Sequence, residues 1–506
     1  MNSLDRLVAY FSPMAAVRRE QARRALAYYE AAKPSVYRKG RRETGSGTAA
    51  VQRAGASLRE QARHLDQNHD LARGVLDVLV QNVIGPQGIQ VEPQPRRADG
   101  TIHDEFAQQI LRLHRDWSRR PEVTWQHDWP SAQRLMGRTW FRDGEALAQR
   151  LIGNTRLLDH GTRVPYSLEL MEPDFLPFAF EDIGRNIRMG VQRNDWNRPV
   201  VYWVHKHHPG DQLVYLTPAD LKSVPAERML HPKMVDRIGQ VRGVSIFASV
   251  MSRLDDIKDY EESERIAAKV AASMAAFIRK GSPDLYNPDS GVDPREIKFR
   301  PGMVFDDLEP GESVETVDTN RPNTNLEAHR DGQLRAVASG TRVTFSSASK
   351  NYNGTYSAQR QELVEGYGAY AVLASEFVGQ FVRPVYEDMI AAAELSGQIR
   401  VPRDVVMETV DDALYIAPQM PWIDPDKEAK ALERLERNVH ASGPEIIRKR
   451  GHNPRDVLEQ EANWRKQLRD HDMVSDSDPA NENLLLEAPD ADEEQEARQP
   501  GARRRA

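Results

Sequence analysis

The sequence predicts an α+β chain of several units, and three observations predict it. Between residues 86 and 240, short runs of β-branched and aromatic residues alternate with Gly, Pro, Asn and Asp, the pattern of antiparallel hairpins. From 241 to 280 the period becomes that of one long helix, and helical periodicity returns from 355 to 470. At 506 residues the chain is also too long for one core, and length alone suggests about three domains.

Residues 1–55 read as a basic, flexible N-terminal arm, because Arg and Lys crowd between Arg18 and Arg63 around the stretch Gly45 to Gly55. Such blocks are mostly solvated, with nucleic-acid contact as the minority reading. Residues 56–240 form a mixed α+β region. It opens with one or two helices carrying Leu71, Val75, Val78 and Leu79 on an apolar face, stopped by Gly85-Pro86. The strand-like pieces GIQVEPQP, TWFRDGEALAQRLIG, YSLELMEPDFL, IRMGVQRNDWNRPVVYWVHK and DQLVYLTP follow, with DWNRP as a turn.

Residues 241–280 read as a single helix. Ile246, Val250, Leu254 and Ile257, then Ile266, Val270, Met274 and Phe277, share one face, and Gly243 and Gly281 bracket the run. At 1.5 Å per residue it would be roughly 50 Å long, a strut suited to an assembly, although periodicity alone fits a long core helix of a monomer. Ala267, Ala268, Ala271, Ala272, Ala275 and Ala276 form columns at i, i+4 spacing that let neighbouring helices approach closely. Residues 281–324 are rich in Pro, Gly and Asp and read as a small loop-rich β module. A second helix follows at 325–339, then a polar loop without periodicity at 340–354. Leu363, Tyr367, Tyr370, Leu373, Phe377 and Phe381 set the helical phase of 355–400, where Pro384 kinks or divides the helix. Residues 401–470 are helical, with Asp424 and Asn453 as N-caps each followed by Pro. Residues 471–506 form an acidic tail expected to be disordered.

Composition narrows the function classes. Hydrophobic residues are 39% and charged residues 29%, with a net charge of −7. The absence of Cys excludes a disulfide framework, a thiolate zinc site and a Cys nucleophile. No apolar run is long enough to span a bilayer, and MNSLDRLVAYF lacks the layout of a signal peptide, so neither membrane insertion nor standard secretion is expected. There is no P-loop, G-x-S-x-G, H-E-x-x-H or G-x-G-x-x-G motif. His205 and His207 share a strand face in WVHKHHPG beside His208. With no second ligand cluster at a suggestive spacing they read as solvated side chains. Asp143 and Glu145, and Glu169, Glu172 and Asp174, form acidic groupings that 76 acidic residues produce by chance. Tyr352, Tyr356 and Trp422 read as packing anchors rather than base-stacking platforms. Three classes compete: a structural ring, a metal-dependent nuclease using the His205 cluster, and a monomeric nucleic-acid adaptor acting through the basic arm.

Ordered motifs tilt the balance. NHDLARGVLDVLVQNVIGPQGIQVEP, DWPSAQRLMGRTWFRDGEAL, LELMEPDFL, HPKMVDRIGQVRGVS, NYNGTYSAQR, FVRPVYEDMIAAAELSGQI and MPWIDPDKEAKA occur in this order across roughly residues 60 to 465. In that order they resemble the lambda-type portal protein family of tailed bacteriophages. The resemblance implies a homo-oligomeric ring, usually of twelve copies, at one capsid vertex, whose channel passes double-stranded DNA during packaging and ejection without sequence specificity. It implies a wing at 56–240, a stem helix at 241–280, a clip at 281–324, a second stem helix at 325–339 and a tunnel loop at 340–354. A wing-to-crown helix at 355–400 and a crown at 401–470 complete the set. Expected partners are the terminase large subunit, the major capsid or scaffold protein and head-tail connector proteins. Expected locations are the virion and, during assembly, the host cytoplasm. No enzyme activity, cofactor, metal or membrane is expected.

Arg342, Thr344, Ser346, Ser347, Ser349, Lys350, Asn351 and Asn353 are the residues expected to face DNA, a weakly positive lining suited to a polymer that must slide. Ile246, Val250, Leu254, Ala267, Ala271 and Ala275 are expected to pack stem against stem. Asp255, Asp256, Asp259, Glu261, Glu262 and Glu264, balanced by Arg253, Lys258 and Arg265, are expected to face the channel or adjacent subunits.

Overall fold

A computed structural model describes residues 10, 12–15, 17–18, 44–153, 158–211, 220–273, 326–419, 425–471 and 473, together with strand backbone at 277–280 and 312–315. The chain separates into Met1–Ala50 and Val51–Ala506, and the second unit holds the core and every site below. Helix α1 (Gly47–Asn68) is followed after His69 by α2 (Asp70–Val83), so the expected pair of helices is present. The stretch read as flexible is helical from Gly47, and Ala62 and Leu65 on α1 are buried; apolar burial outweighs the local cost of Gly within a helix.

The next elements are β1 (Gln90–Pro93), α3 (Asp104–Trp117) and α4 (Trp129–Asp143). Asp128 caps α4 by accepting from Ser131 N at 2.9 Å, and Gly144 ends it in the left-handed region at φ +84°. Strands β2 (Leu147–Ile152), β3 (Tyr166–Met171) and β8 (Met229–Leu230) form an antiparallel sheet in the order β3-β2-β8. Strands β4 (Ile187–Arg188), β5 (Val191–Arg193), β6 (Pro199–His205) and β7 (Leu221–Pro225) form an antiparallel meander in sequence order; β4 to β6 fall within the expected pieces, whereas β7 follows DQLVYLTP, whose residues 212–218 lie outside the described residues. The DWNRP turn joins β5 to β6. Asn194 Oδ1 accepts from Trp196 N at 3.0 Å and Arg198 N at 2.9 Å, and Asn197 takes φ +61°. Met171, Leu176, Met189, Val191, Tyr202, Val204 and Val224 pack under this meander as a second, smaller core.

Helix α5 (Met251–Ser273) is shorter than expected. Phe277–Lys280 is strand β9, paired antiparallel with β10 (Glu312–Glu315). At 23 residues the helix spans about 35 Å rather than 50 Å. Phe277 and Ile278 are strand formers that find a ladder partner, and that long-range pairing overrides the local helical period. Met274 and Ala275 lie outside the described residues, as does most of the 281–324 module.

Helix α6 (Leu326–Thr341) leads to a short helix α7 (Phe345–Ser349), α8 (Tyr356–Phe377), a π-helical turn at Val378–Val382 and α9 (Arg383–Leu395). The π turn lies directly ahead of Pro384, whose ring cannot donate the helical hydrogen bond; the helix divides in hydrogen-bond pattern as the proline predicts. Strand β11 (Ala413–Ile416) pairs with β1, Gln90 opposite Ile416. Helices α10 (Pro425–Arg437), α11 (Gly443–Lys449) and α12 (Pro454–Asp470) close the described chain. Asn453 caps α12 as expected, accepting from Arg455 N at 3.0 Å, whereas Asp424 and Trp422 lie outside the described residues.

One core unites these helices: Leu76 and Leu79 from α2, Met136 and Trp140 from α4, Leu254 from α5, Leu334 and Val337 from α6, and Leu373, Phe377, Phe381 and Met389 from α8 to α9. Trp117 is fully buried and donates Nε1–H to Tyr166 O at 2.9 Å, so its polar edge is satisfied inside the core.

Candidate functional site

Two features position the functional surfaces: a buried charge cluster where the sheet region meets α5, and the loop between α6 and α8. In the first, Arg242 and Glu145 are fully buried and joined by a forked pair, Nη2 to Oε1 at 2.6 Å and Nε to Oε1 at 2.8 Å. The remaining Arg242 donors reach the carbonyls of Leu176 at 2.9 Å, Met189 at 3.1 Å and Pro173 at 3.2 Å. Glu145 also accepts from Gly243 N at 2.8 Å and His231 Nε2 at 3.0 Å. Burial pushes the Glu145 carboxyl up, but Arg242 and His231 outweigh it and hold the group well below the usual carboxylate range. Burial lowers His231 to about 4 against the pull of Glu145, so its imidazole is neutral at pH 7 and donates from Nε2.

The backbones beside this pair almost touch. A Cβ on Gly144 would lie 2.2 Å from Val244 C, and one on Gly243 would lie 2.0 Å from Gly144 O. Any side chain at either position would force the two strands of chain apart. The segment Gln240–Ser245 is therefore clamped by charge and by shape immediately before α5 begins. Asp143 and Glu145, read above as a chance grouping of acidic residues, are structural. Asp143 accepts from Arg63 Nη2 at 2.7 Å and Arg142 Nε at 2.8 Å. Half-buried Arg63 is its counter-ion, and buried Arg59 lies 3.6 Å from Asp174 and 3.9 Å from Glu145, so the end of the basic block from Arg18 to Arg63 is not solvated.

The second acidic grouping carries the one set of possible metal ligands among the described residues: Glu172, Asp174 and His208. It is already neutralised. Arg63 contacts Asp174 directly and lies 3.6 Å from Glu172, Arg59 lies 3.6 Å from Asp174, and Arg142 lies 3.6 Å from Glu172. Three guanidinium groups occupy the electrostatic role an ion would take. His208 Nδ1 accepts from Gly210 N at 3.0 Å and its Nε2 donates to Glu172 Oε2 at 3.2 Å, whereas among the described residues His205 and His207 belong to no such group.

Of the residues expected to pack stem on stem, Ile246, Val250 and Leu254 are instead buried in this chain's own core, Ile246 and Val250 preceding the helix itself. The apolar period is real, but its first half is covered by the α2 region: His69 Nε2 lies 2.9 Å from Leu254 O. Further along, Ile266 is 52% exposed and Ala267 is half-buried. Ala271 lies on α5 with its side chain outside the description, and Ala275 is outside the described residues. Beyond the apolar core that Leu254, Leu334 and Val337 share, helices α5 and α6 are joined by polar and aromatic contacts: Arg253 Nη1 to Gln333 at 2.7 Å, Arg330 to Glu261 at 2.5 Å, and the Tyr260 and His329 rings at 4.9 Å. Arg253 and Glu261 thus serve the partner helix. Asp255, Asp256, Asp259 and Glu262 stay exposed.

The segment 340–354 is more ordered than a polar loop. Thr344 and Ser346 are buried, contrary to their expected exposure. Thr344 Oγ1 donates to Ser347 Oγ at 2.7 Å, Ser346 N donates to Glu362 on α8 at 2.9 Å, and Ser349 Oγ donates to Phe345 O at 2.8 Å. The hydroxyls that make the sequence look loop-like bond one another and the C-terminal turn of α7, while Glu362 takes the N–H at its start. A Cβ on Gly366 would sit 2.4 Å from Thr344 Cγ2, so α8 admits the segment only because that residue is Gly. Arg342 and Lys350 flank the segment in the left-handed region, at φ +61° and +57°, and both side chains are exposed. Ser347, Ser349 and Asn351 are half-buried, while Tyr352, Asn353 and Gly354 are exposed. Tyr352 and Tyr356 are 60% and 54% exposed, so neither anchors this chain's packing.

Comparison with known proteins agrees with the resemblance in the motifs. The probable portal protein of Halomonas phage phiHAP-1 is 24% identical over 435 residues, covering 83% of this chain and 82% of that protein. Among solved structures, a chain of the neck of the native gene transfer agent particle, computed with C12 symmetry, aligns with TM-score 0.46 at 11% identity over 77% of this chain and 90% of that one. A chain of the gene transfer agent virion aligns with TM-score 0.44 at 11% identity, with the same coverage. The model of the family described as phage portal protein, lambda family, matches residues 36–373, and this chain belongs to that family.

Proposed function

We propose that this portal protein assembles through its α5–α6 rod into a ring of twelve copies at one capsid vertex, and that its channel passes double-stranded DNA during packaging and ejection. The observation that carries the reading is the division of α5. Its start is sealed into the chain's own core, while its continuation carries an exposed Ile266 beside small Ala side chains and leans on α6 through polar contacts. Exposed ion pairs contribute little, and helices owe their stability to tertiary packing. A rod held this way gains its missing apolar contact from identical rods on either side, and the alanines permit close approach.

The DNA-facing surface is assigned to the exposed part of the 340–354 segment, where Arg342 and Lys350 give each copy two cations. Few phosphate contacts per copy keep affinity low enough for sliding. The chain has no nucleotide motif, so the reading assigns translocation to the terminase large subunit docked on the ring, with head-tail connector proteins taking its place later. The ring would assemble in the host cytoplasm, with the major capsid or scaffold protein around it, and act in the virion. The protein has no catalytic role in this reading, and the arginine-filled Glu172–Asp174–His208 cluster supports that. Negative-stain imaging with native mass measurement tests the proposal: rings with a central hole are expected. Particles at the 57.4 kDa chain mass under all mild conditions would refute it.

A further inference from the structure

Helix α3 carries a basic flank. Arg112 and Arg119 lie one turn before and one turn after Asp116, Arg120 follows at i+4, and Arg163 Nε comes within 3.9 Å of Asp116 Oδ2. The helical turn continues past Trp117, with Arg119 N donating to Asp116 O at 3.4 Å and Arg120 N to Trp117 O at 3.1 Å. All four arginines are exposed, and among the described residues Arg112, Arg119 and Arg120 have no carboxylate within ion-pair distance. Asp159, in the same loop as Arg163, accepts from Gly161 N at 2.8 Å. Four guanidinium groups thus meet two carboxylates.

Beside them the chain holds out an aromatic ring. Glu122 is buried, and its carboxylate accepts from Thr124 N at 2.7 Å, Thr124 Oγ1 at 2.8 Å, Gln126 N at 2.7 Å and His127 N at 3.1 Å. Four donors on one buried acid fix this turn, and within it Trp125 takes φ +58°, a left-handed conformation uncommon for a residue with a side chain. Arg120 lies over the Trp125 ring at 4.8 Å, and a Cβ on Gly161 would meet the ring at 2.8 Å, yet Trp125 stays 43% exposed. A firmly held Trp left open among arginines suits a partner that is acidic and carries apolar side chains.

The chain supplies such a segment itself. Between Asp472 and Ala497 there are ten acidic residues and no Lys or Arg, and Leu484–Leu486 is the apolar run among them. The helix ahead of it is tied to α3 at its first turn: Arg115 pairs with Asp456, and Arg455 Nη2 lies 3.5 Å from Asp104 Oδ1. From Asp456 to Asp470 α12 rises about 21 Å, and packed helices lie about 8–10 Å apart, so its end is within about 30 Å of Arg115. The eleven residues from Met473 to Leu484 span up to about 36 Å, enough to reach back to the flank.

We propose that the acidic tail of each chain docks on its own α3 flank, with Leu484–Leu486 against Trp125 and the acids that follow on Arg112, Arg119, Arg120 and Arg163. A flank of this kind also suits nucleic acid, because base stacking and phosphate contact call on the same residue types. The tail has the advantage of its tether, which gives it an effective concentration on the order of millimolar, and once docked it keeps phosphates off the flank. The docking is read within one chain and is independent of ring formation.

The absence of Cys makes the test direct. Gln109→Cys, exposed on α3 one turn ahead of Arg112, and Ala488→Cys are placed in one full-length chain, which is then oxidised mildly. An intrachain disulfide, read as a shifted band on a non-reducing gel and mapped by peptide mass, is expected at roughly tenfold the yield of the same chain carrying Arg112→Glu and Arg119→Glu. Where the charge reversal lowers thermal stability, Arg112→Gln with Arg119→Gln takes its place and the same order of yields is expected. Equal yields, or a disulfide only between chains, overturn the proposal. Duplex DNA binding supplies the second readout. A full chain whose acids from Glu487 to Glu496 are replaced by their amides should bind DNA at least threefold more tightly than the wild type, and adding Arg112→Gln with Arg119→Gln should abolish that gain. A gain that survives those substitutions overturns the tail as the occupant. So does wild-type binding that already depends on the two arginines and does not rise when the acids are removed, which would make the flank a nucleic-acid site.

Discussion

Replacing Glu145 by Gln keeps the shape of the side chain and removes one buried negative charge. In the native protein that charge meets Arg242, Gly243 N and His231, and Arg242 has no exposed atoms through which water could take over. The amide of Gln presents an NH2 group toward one of these donors and leaves the guanidinium without a compensating charge, among neutral acceptors such as the carbonyls of Leu176, Met189 and Pro173. Removing one member of a buried, hydrogen-bonded ion pair costs about 3–5 kcal/mol, far more than the 0–1 kcal/mol of an exposed pair. Urea unfolding followed by tryptophan fluorescence, which reports the core around Trp117 and Trp140, measures the loss. Adding Arg242→Met should restore part of it, since the unpaired cation is then gone and an apolar pair is tolerated where half an ion pair is not. A Glu145→Gln protein within 1 kcal/mol of the wild type would refute the claim that this pair clamps the entry to α5.

Other outcomes follow from single contacts. Gly243→Ala should lower stability by more than 2 kcal/mol or prevent folding, because its Cβ would sit 2.0 Å from Gly144 O; wild-type thermal stability would contradict the crossing. Burial holds His114 and His231 at about 4, below the ordinary 6.5, so both are neutral in the folded state. The unfolded chain binds these protons first, and stability is full above pH 6.5 and falls as pH drops toward 4, by about 3 kcal/mol per residue. His114→Leu should flatten that fall over the same window in pH-dependent urea titrations, and an unchanged slope would count against it. Arg342→Gln with Lys350→Gln should leave ring mass unchanged and reduce DNA retained per head; loss of the ring would show that these cations hold subunits rather than face DNA. Incubation with Mg²⁺ or Zn²⁺ should produce no DNA cleavage, and metal-dependent cleavage abolished by His207→Ala would reinstate the nuclease reading.

What the sequence made legible was local. The period of α8, the proline at 384, the Asn453 cap and the Asn194 turn each act over a few residues, and each appears where the chain predicts it. What stayed hidden was pairing across distance. Glu145 and Arg242 are 97 residues apart, Arg63 and Asp143 are 80 apart, and nothing in either neighbourhood marks the match. The same cause explains the end of α5, where a partner strand at Glu312–Glu315 decides the conformation of Phe277–Lys280. The hydroxyl-rich 344–349 run misled for another reason: short polar side chains favour loops in general, but here they bond within one small helix, and Glu362, 16 residues away from Ser346, takes the N–H at its start.

The π-helical turn ahead of Pro384 has a mechanical corollary. One additional residue in a turn rotates everything beyond it by about 100° relative to an uninterrupted α-helix. Tyr370, Leu373 and Phe377 before the insertion and Val385, Tyr386 and Met389 after it are all buried, so the inward side on each stretch is set by that offset. Deleting a single residue from Val378–Val382 would swing the second set toward solvent while leaving its composition untouched. The spacing of this helix, more than the identity of any one apolar side chain in it, keeps its two stretches turned to the same core.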